Sequence, residues 1–312
     1  MIRILILLSY FGCLSIFKSC ANQKTEQSTD TSGITAMQSS DYDFENPDDV
    51  FLLNQKLVEI SGLAYDVENH SLLTINDEVG IYYQLSLEDG SILSQHRFAA
   101  LGDYEGIEIT GDTIMITRSN GTVYLIDKDN GEAFKILKTD FHINNDIEGI
   151  TYDKRSGQLI LACKGVPTIP DVSNIKKGKV LYACDANTGD ILPEPISIIK
   201  DKALRSVYIK QVSEAQKSKI KKMKVMDRVD KFAPSGLAFH PESQELYIVS
   251  ARNNSLVILD EFFKLSAVIL LDKKVHRQPE GICFAPNGDL FISNEGQNRR
   301  ANIYRYNFKK RQ

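Results

Sequence analysis

Tryptophan is absent from this 312-residue chain, cysteine and histidine number five each, and basic residues do not outnumber acidic ones. With 37 Lys and Arg against 41 Asp and Glu, the formal net charge is −4, which excludes the electrostatic footprint of a nucleic-acid binder. The apolar stretch near the start, "ILILLSYFGCLSIF", has fourteen residues, fewer than the roughly twenty a membrane-spanning helix needs. No GxSxG, HExxH, P-loop or CxxC pattern occurs, so the enzyme classes recognised by them are excluded. What is present is 13 Tyr, 14 Phe and many β-branched residues alternating with polar ones, a composition that leans to β structure. The apolar content is ample for a sizeable core, in one large domain or two small ones.

The N-terminus reads as an address. A short basic start, the apolar stretch and "KSC" lead to Cys20, followed by "ANQKTEQSTDTSGITAMQSSD", almost without apolar residues. This arrangement resembles a bacterial lipoprotein, with residues 1–20 as signal peptide, Cys20 lipidated, and 21–48 a flexible tether. Cys13 after Gly12 is a rival site, and an ordinary secretory peptide cleaved nearby is the plainer alternative. The expected location is the cell envelope, anchored to a membrane and facing the periplasm or exterior. Cys163, Cys184 and Cys283 remain in the mature chain. Cys163 ends the strand "LILAC" and should face the start of "KVLYAC", around Lys179, which puts Cys184 about 17 Å away at strand rise. That is too far to bridge. Buried free thiols are expected.

One phrase recurs five times: "EISGLAYD" at 59, "DYEGIEIT" at 103, "DIEGITYD" at 146, "APSGLAFHP" at 233 and "QPEGICFAP" at 278. Its glycines, Gly62, Gly106, Gly149, Gly236 and Gly281, are spaced by 44, 43, 87 and 45 residues. Each phrase is followed by a second apolar strand, a third, and in three repeats a Gly-bearing hairpin such as "LEDGS", "DKDNGE" or "DANTGD". Four short strands per period of this length make a β-propeller blade. The 87-residue gap means either a sixth, eroded blade or one period with insertions. The stretch "VPTIPDVSNIKKGK" and residues 200–231, rich in helix formers and without strand alternation, account for the excess. Five blades are therefore expected, with a helical excursion. After Gly281 the chain holds three more strands, so "VFLLNQKLVE" should supply the fourth strand of the last blade and close the ring.

The first strand of a blade lies nearest the axis, so residues at its start converge on one mouth. The position before the glycine reads Ser61, Glu105, Glu148, Ser235, Glu280; two residues earlier it reads Glu59, Asp103, Asp146, Ala233, Gln278. Three glutamates aimed at one axis repel unless they protonate or share a cation. Hard oxygen ligands, with no His or Cys in register, suit Ca²⁺ or Mg²⁺ rather than zinc. The turn after the second strand adds Asp77, Glu78, Asn294 and Glu295 as oxygen donors. The competing reading is that these acids bond neighbouring backbone N–H groups and staple blades together. Arg118, Lys164 and Arg252 share a column in the turn after the second strand, either as an anion clamp beside the metal or as a solvated rim. His70, His96, His142, His240 and His276 fall in no common column, and "DKDNGE" reads as a turn rather than a calcium loop.

The ordered phrases Ser-Glu-Glu-Ser-Glu, the "KDKAL" segment before the fourth, and the closing "QPEGI…GDLFISNE" resemble the SdiA-regulated (YjiK-like) family over about residues 50–310. That resemblance implies a five-bladed propeller related to NHL repeats, a calcium site, and no established activity, with Glu105, Glu148 and Glu280 matching its acidic phrases. Calcium is the cofactor expected, with Glu105, Glu148, Glu280, Asp77 and Glu295 as ligands and Arg118, Lys164, Arg252 and Asn294 facing an anionic ligand. The leading expectation is a monomeric calcium-binding module for a small molecule or protein, membrane-bound through its lipid and without nucleic acid. The alternatives are a calcium-dependent hydrolase, lactonase- or phosphatase-like, and an interaction module that uses the basic segment 200–231.

Overall fold

The computed structural model describes residues 41–167, 178–212, 217 and 225–309. The chain divides into two compact units, 1–30 and 31–312, and the described residues all belong to the second. The signal peptide, Cys20 and most of the insertion "VPTIPDVSNIKKGK" lie outside them. Among the described residues no helix is long and apolar enough to cross a membrane.

Strand β1 (Asp49–Leu52) precedes the first full blade, which is β2 (Ile60–Asp66), β3 (Ser71–Asn76), β4 (Val79–Ser86) and β5 (Ile92–Leu101). The second blade is β6 (Tyr104–Thr110), β7 (Thr113–Arg118), β8 (Val123–Asp127) and β9 (Ala133–Leu137). The third is β10 (Ile147–Asp153), β11 (Gln158–Cys163), β12 (Lys179–Asp185) and β13 (Ser197–Ile199). Helices α1 (Asp201–Gln211) and α2 (Val225–Val229) separate it from β14 (Gly236–Phe239), β15 (Leu246–Ser250), β16 (Ser255–Leu259) and β17 (Leu265–Leu270). The last blade holds β18 (Pro279–Phe284), β19 (Leu290–Asn294) and β20 (Asn302–Tyr306). All pairings are antiparallel, and the last sheet runs β18-β19-β20-β1, so the N-terminal strand closes the ring with Phe51 opposite Ile303. The five-bladed count holds.

The hairpin glycines Gly90, Gly131 and Gly189 take the left-handed backbone that the turn requires. In "DKDNGE" the Asp127 carboxylate accepts from the backbone of Asp129 and Asn130 at 2.9 and 3.3 Å, which makes it a turn. Cys163 sits opposite Val180 and Cys184 opposite Leu159; all three described cysteines are buried free thiols.

Five hydrophobic clusters fill the spaces between neighbouring blades. The helical excursion belongs to one of them. Leu204 and Tyr208 of α1 and Val225 and Val229 of α2 pack with Ile160 and Leu181 of the third blade and Leu246 and Ile248 of the fourth. The Gln211 side chain also accepts from the Val268 N–H of outer strand β17 at 3.0 Å, covering an edge that would otherwise be open. The expected tether needs a correction at its end. Residues 41–48 are folded, because Tyr42 and Phe44 are buried between the fourth and fifth blades and the Tyr42 hydroxyl donates to the Gly288 carbonyl at 2.6 Å.

The five motif glycines have a packing reason. A Cβ on Gly62 would lie 2.9 Å from the Gly106 Cα; on Gly106, 3.1 Å from the Gly149 Cα; on Gly236, 3.3 Å from the Gly281 Cα. One on Gly149 would meet the Leu237 side chain at 2.5 Å, and one on Gly281 the Ser61 carbonyl at 2.6 Å. Each inner strand leans on the next through a residue without a side chain, and the five glycines close the axis at one level.

Candidate functional site at the propeller mouth

Beside the glycine ring, the inner strands break register. The ladder skips a step between Ile60 and Leu63, Tyr104 and Gly106, Ile147 and Gly149, and Pro279 and Ile282. These β-bulges leave Ser61, Glu105, Glu148 and Glu280 outside the regular ladder, and a bulge re-aims the side chain it carries. In the fourth blade Ser235 directly precedes the strand. The two serines act as staples: the Ser61 hydroxyl donates to the Glu105 carbonyl and that of Ser235 to the Pro279 carbonyl, each at 2.8 Å in the next blade.

The glutamates form a single electrostatic group. Burial raises Glu105 far above the carboxylate range, and the charges of Glu148 and Asp103 push it further. Burial also raises Glu148, opposed by Lys164, whose Nζ lies 2.7 Å from Oε1. Glu280 is pushed up to about 7 by burial, with Asp77 adding to the rise and the Gln278 amide, 3.0 Å from Oε1, working against it. The same amide donates to Glu295, whose pKa burial and neighbouring Glu59 raise. Asp77 is pushed up to about 6, first by burial and then by Glu59, Glu78 and Asp103. Two buried oxygens here, Oδ1 of Asp77 and Oδ1 of Asn294, have no hydrogen-bond partner. The Asn294 amide nitrogen donates to Asn302 at 3.2 Å.

The basic column shares a position in its blades but not a set of partners. Lys164 pairs with Glu148, Arg118 turns over the Tyr104 ring at 5.6 Å, and Arg252 is exposed. Lys179, which the repeat pattern does not mark, joins them: its ammonium donates to the Lys164 carbonyl, and burial followed by the Arg252 charge lowers its pKa. The mouth is thus polarised. Glu59, Asp77, Glu280 and Glu295 crowd the junction of the fifth and first blades, while Lys164, Lys179 and Arg252 lie across the third and fourth. Glu59, Asp103 and Gln278 all come from the column two residues before the glutamates. Within the crowd Gln278 replaces an acid with an amide that bridges two carboxylates.

The donor set has the chemistry a hard cation takes, oxygen only, with two buried oxygens unsatisfied. Among the described residues, however, no three acidic, histidine or cysteine side chains stand close enough to form a metal cluster. Lys164 is paired with Glu148, and the Gln278 amide bridges Glu280 and Glu295. The fit is to an ion bound through one or two carboxylates with water completing its shell, not to a closed cage.

A ring of four-stranded blades with ionisable side chains gathered at the start of the inner strands defines a five-bladed β-propeller with a charged axial mouth. The sequence profile of the SdiA-regulated family matches residues 49–299, and the chain belongs to that family. No curated protein matches the sequence. Among solved structures, Myxococcus xanthus glutaminyl cyclase superposes with a TM-score of 0.56 at 13% identity, covering 84% of this chain and 94% of that one. A Xanthomonas campestris gluconolactonase gives a TM-score of 0.48 at 12% identity over 82% and 78% of the two chains. At 13% identity the likeness to the cyclase is one of fold.

Proposed function

We propose that this protein is a calcium-binding propeller of the cell envelope that presents its charged mouth to a small-molecule or protein ligand, without catalysis of its own. The observation that carries the reading is the shortage of positive charge at the junction of the fifth and first blades. There burial raises Asp77, Glu280 and Glu295, neighbouring acids add to each (Glu59, Glu78 and Asp103 to Asp77, Asp77 to Glu280, and Glu59, Glu280 and Asp77 to Glu295), and the Asp77 and Asn294 oxygens are unsatisfied. A divalent cation held by one or two of the Asp77, Glu280 and Glu295 carboxylates, with the Asn294 oxygen and water completing its shell, would supply the missing charge, and Glu105 and Glu148 lie beyond them. The Lys164–Lys179–Arg252 side would then receive an anionic group of the ligand. The envelope location rests on the lipoprotein-like start of the sequence, with Cys20 as anchor.

Calorimetric titration of calcium into the wild type and into a Glu105→Gln, Glu148→Gln, Glu280→Gln variant tests the site. The wild type should bind with measurable heat, and the variant should lose most of it while remaining folded. Equal heats in both would remove these acids from any calcium site.

A further inference from the structure

Past the glycine ring the inner strands line a partly open cavity of about 310 Å³, on the other side of the ring from the acids. The second residue after each motif glycine lines it: Ala64, Glu108, Thr151, Ala238 and Cys283. Tyr65, Tyr152, Phe239 and Phe284 contribute aromatic wall, and the size is that of a small-molecule site.

Glu108 is the acid in this ring of five, and it is held in place. Its Oε2 accepts from the Thr151 hydroxyl at 2.6 Å and the Tyr152 N–H at 3.2 Å, and its Oε1 accepts from the Ile109 N–H at 2.8 Å. A carboxylate has about four acceptor positions, so three protein donors orient it and leave one, on Oε1, for a ligand. Burial raises its pKa, opposed by these three hydrogen bonds and by the charge of Lys154, which lines the same cavity with an exposed side chain; among the described residues no cation lies within ion-pair distance of Glu108. An oriented carboxylate without a paired cation, in an aromatic-walled cavity, has the chemistry that selects ammonium groups over neutral ones.

We infer that this second axial cavity binds a small organic ammonium compound, its charged nitrogen on Glu108 and its apolar body against the aromatic wall. This site is independent of the mouth, from which the glycine ring separates it.

The test uses 2-phenylethylammonium and its neutral counterpart 2-phenylethanol, titrated into the full chain in EDTA at pH 7 by calorimetry and thermal shift. The ammonium should bind at least about tenfold tighter than the alcohol, and at ten times its Kd should raise Tm by about 3 °C. Glu108→Gln should erase that preference, since the amide still accepts from Ile109 but carries no charge. Ala238→Leu, which leaves Glu108 intact and fills the cavity, should abolish binding of both compounds. Equal affinity for the two compounds in the wild type overturns the proposal. So does a preference that survives Glu108→Gln, or binding undiminished in Ala238→Leu should the first variant fail to fold.

Discussion

At Glu280 a one-residue slip in a strand becomes an electrostatic load. The bulge takes the side chain out of the ladder, burial and Asp77 resist its ionisation, and its pKa stands at about 7 against an ordinary 4.5, while Asp77 stands at about 6 against 3.8. Both are easier to keep neutral in the fold than in the unfolded chain. Their contribution therefore favours folding fully below about pH 4 and is lost as pH rises through about 6 and 7. A cation that neutralises them acts where they are charged. The rise in Tm on adding calcium should be near zero at pH 5 and grow to several degrees by pH 8, read by thermal scans with calcium and with EDTA. A gain that is the same at both pH values would contradict the assignment. Glu105, Glu148 and Glu280 were legible in the sequence because a repeat aligns equivalent positions. The Gln278 bridge and the Lys179 contribution were not, since both depend on which neighbour a side chain reaches across the mouth.

The arm 41–48 is the element that sequence reading misplaced. "SSDYDFENPDD" has two aromatics among polar residues and no strand or helix period, so nothing distinguishes it from the tether before it. In the structure its Tyr42 hydroxyl meets His240 Nε2 at 3.0 Å, and Phe44 packs on Tyr306, whose hydroxyl lies 2.8 Å from Nε2 of wholly buried His276. Burial lowers both histidines, His276 to about 4 from an ordinary 6.5. A histidine held neutral in the fold contributes stability that is present above pH 6.5 and lost as pH falls toward 4, about 3 kcal/mol for His276. Acid should therefore release the arm first. Hydrogen exchange at residues 41–48 should accelerate between pH 6.5 and 4.5, after correction for intrinsic rates, ahead of the inner strands. Equal protection at both pH values would show that the arm does not depend on these histidines. The helical excursion was legible as a departure from strand alternation, but its packing between two blades was not, because one turn of α2 and the apolar residues of α1 gain meaning only beside strands β11 to β15.

For the whole molecule, repeat spacing and hairpin glycines carried the blade count, and the shortfall of strands after Gly281 carried the closure through β1. Both are counting arguments, and they survive because every blade must complete the same four-stranded sheet. The envelope assignment rests on a different part of the chain and has its own test. Cys20→Ser should abolish fatty-acid labelling and move the protein from the membrane to the soluble fraction. Labelling that survives this change and is lost with Cys13→Ser would move the anchor, and a wild type that takes up no label would mean a simple secreted protein.

The glycine ring has a consequence for how this architecture can evolve. Propellers change size by duplicating or losing a blade, and each addition widens the axis. Here the five inner strands touch through residues that have no side chains to spare. A sixth blade would pull those backbones apart and leave a hole that no glycine can fill, opening the mouth onto the chamber beyond it. The blade number is thus locked by the smallest side chain in the alphabet.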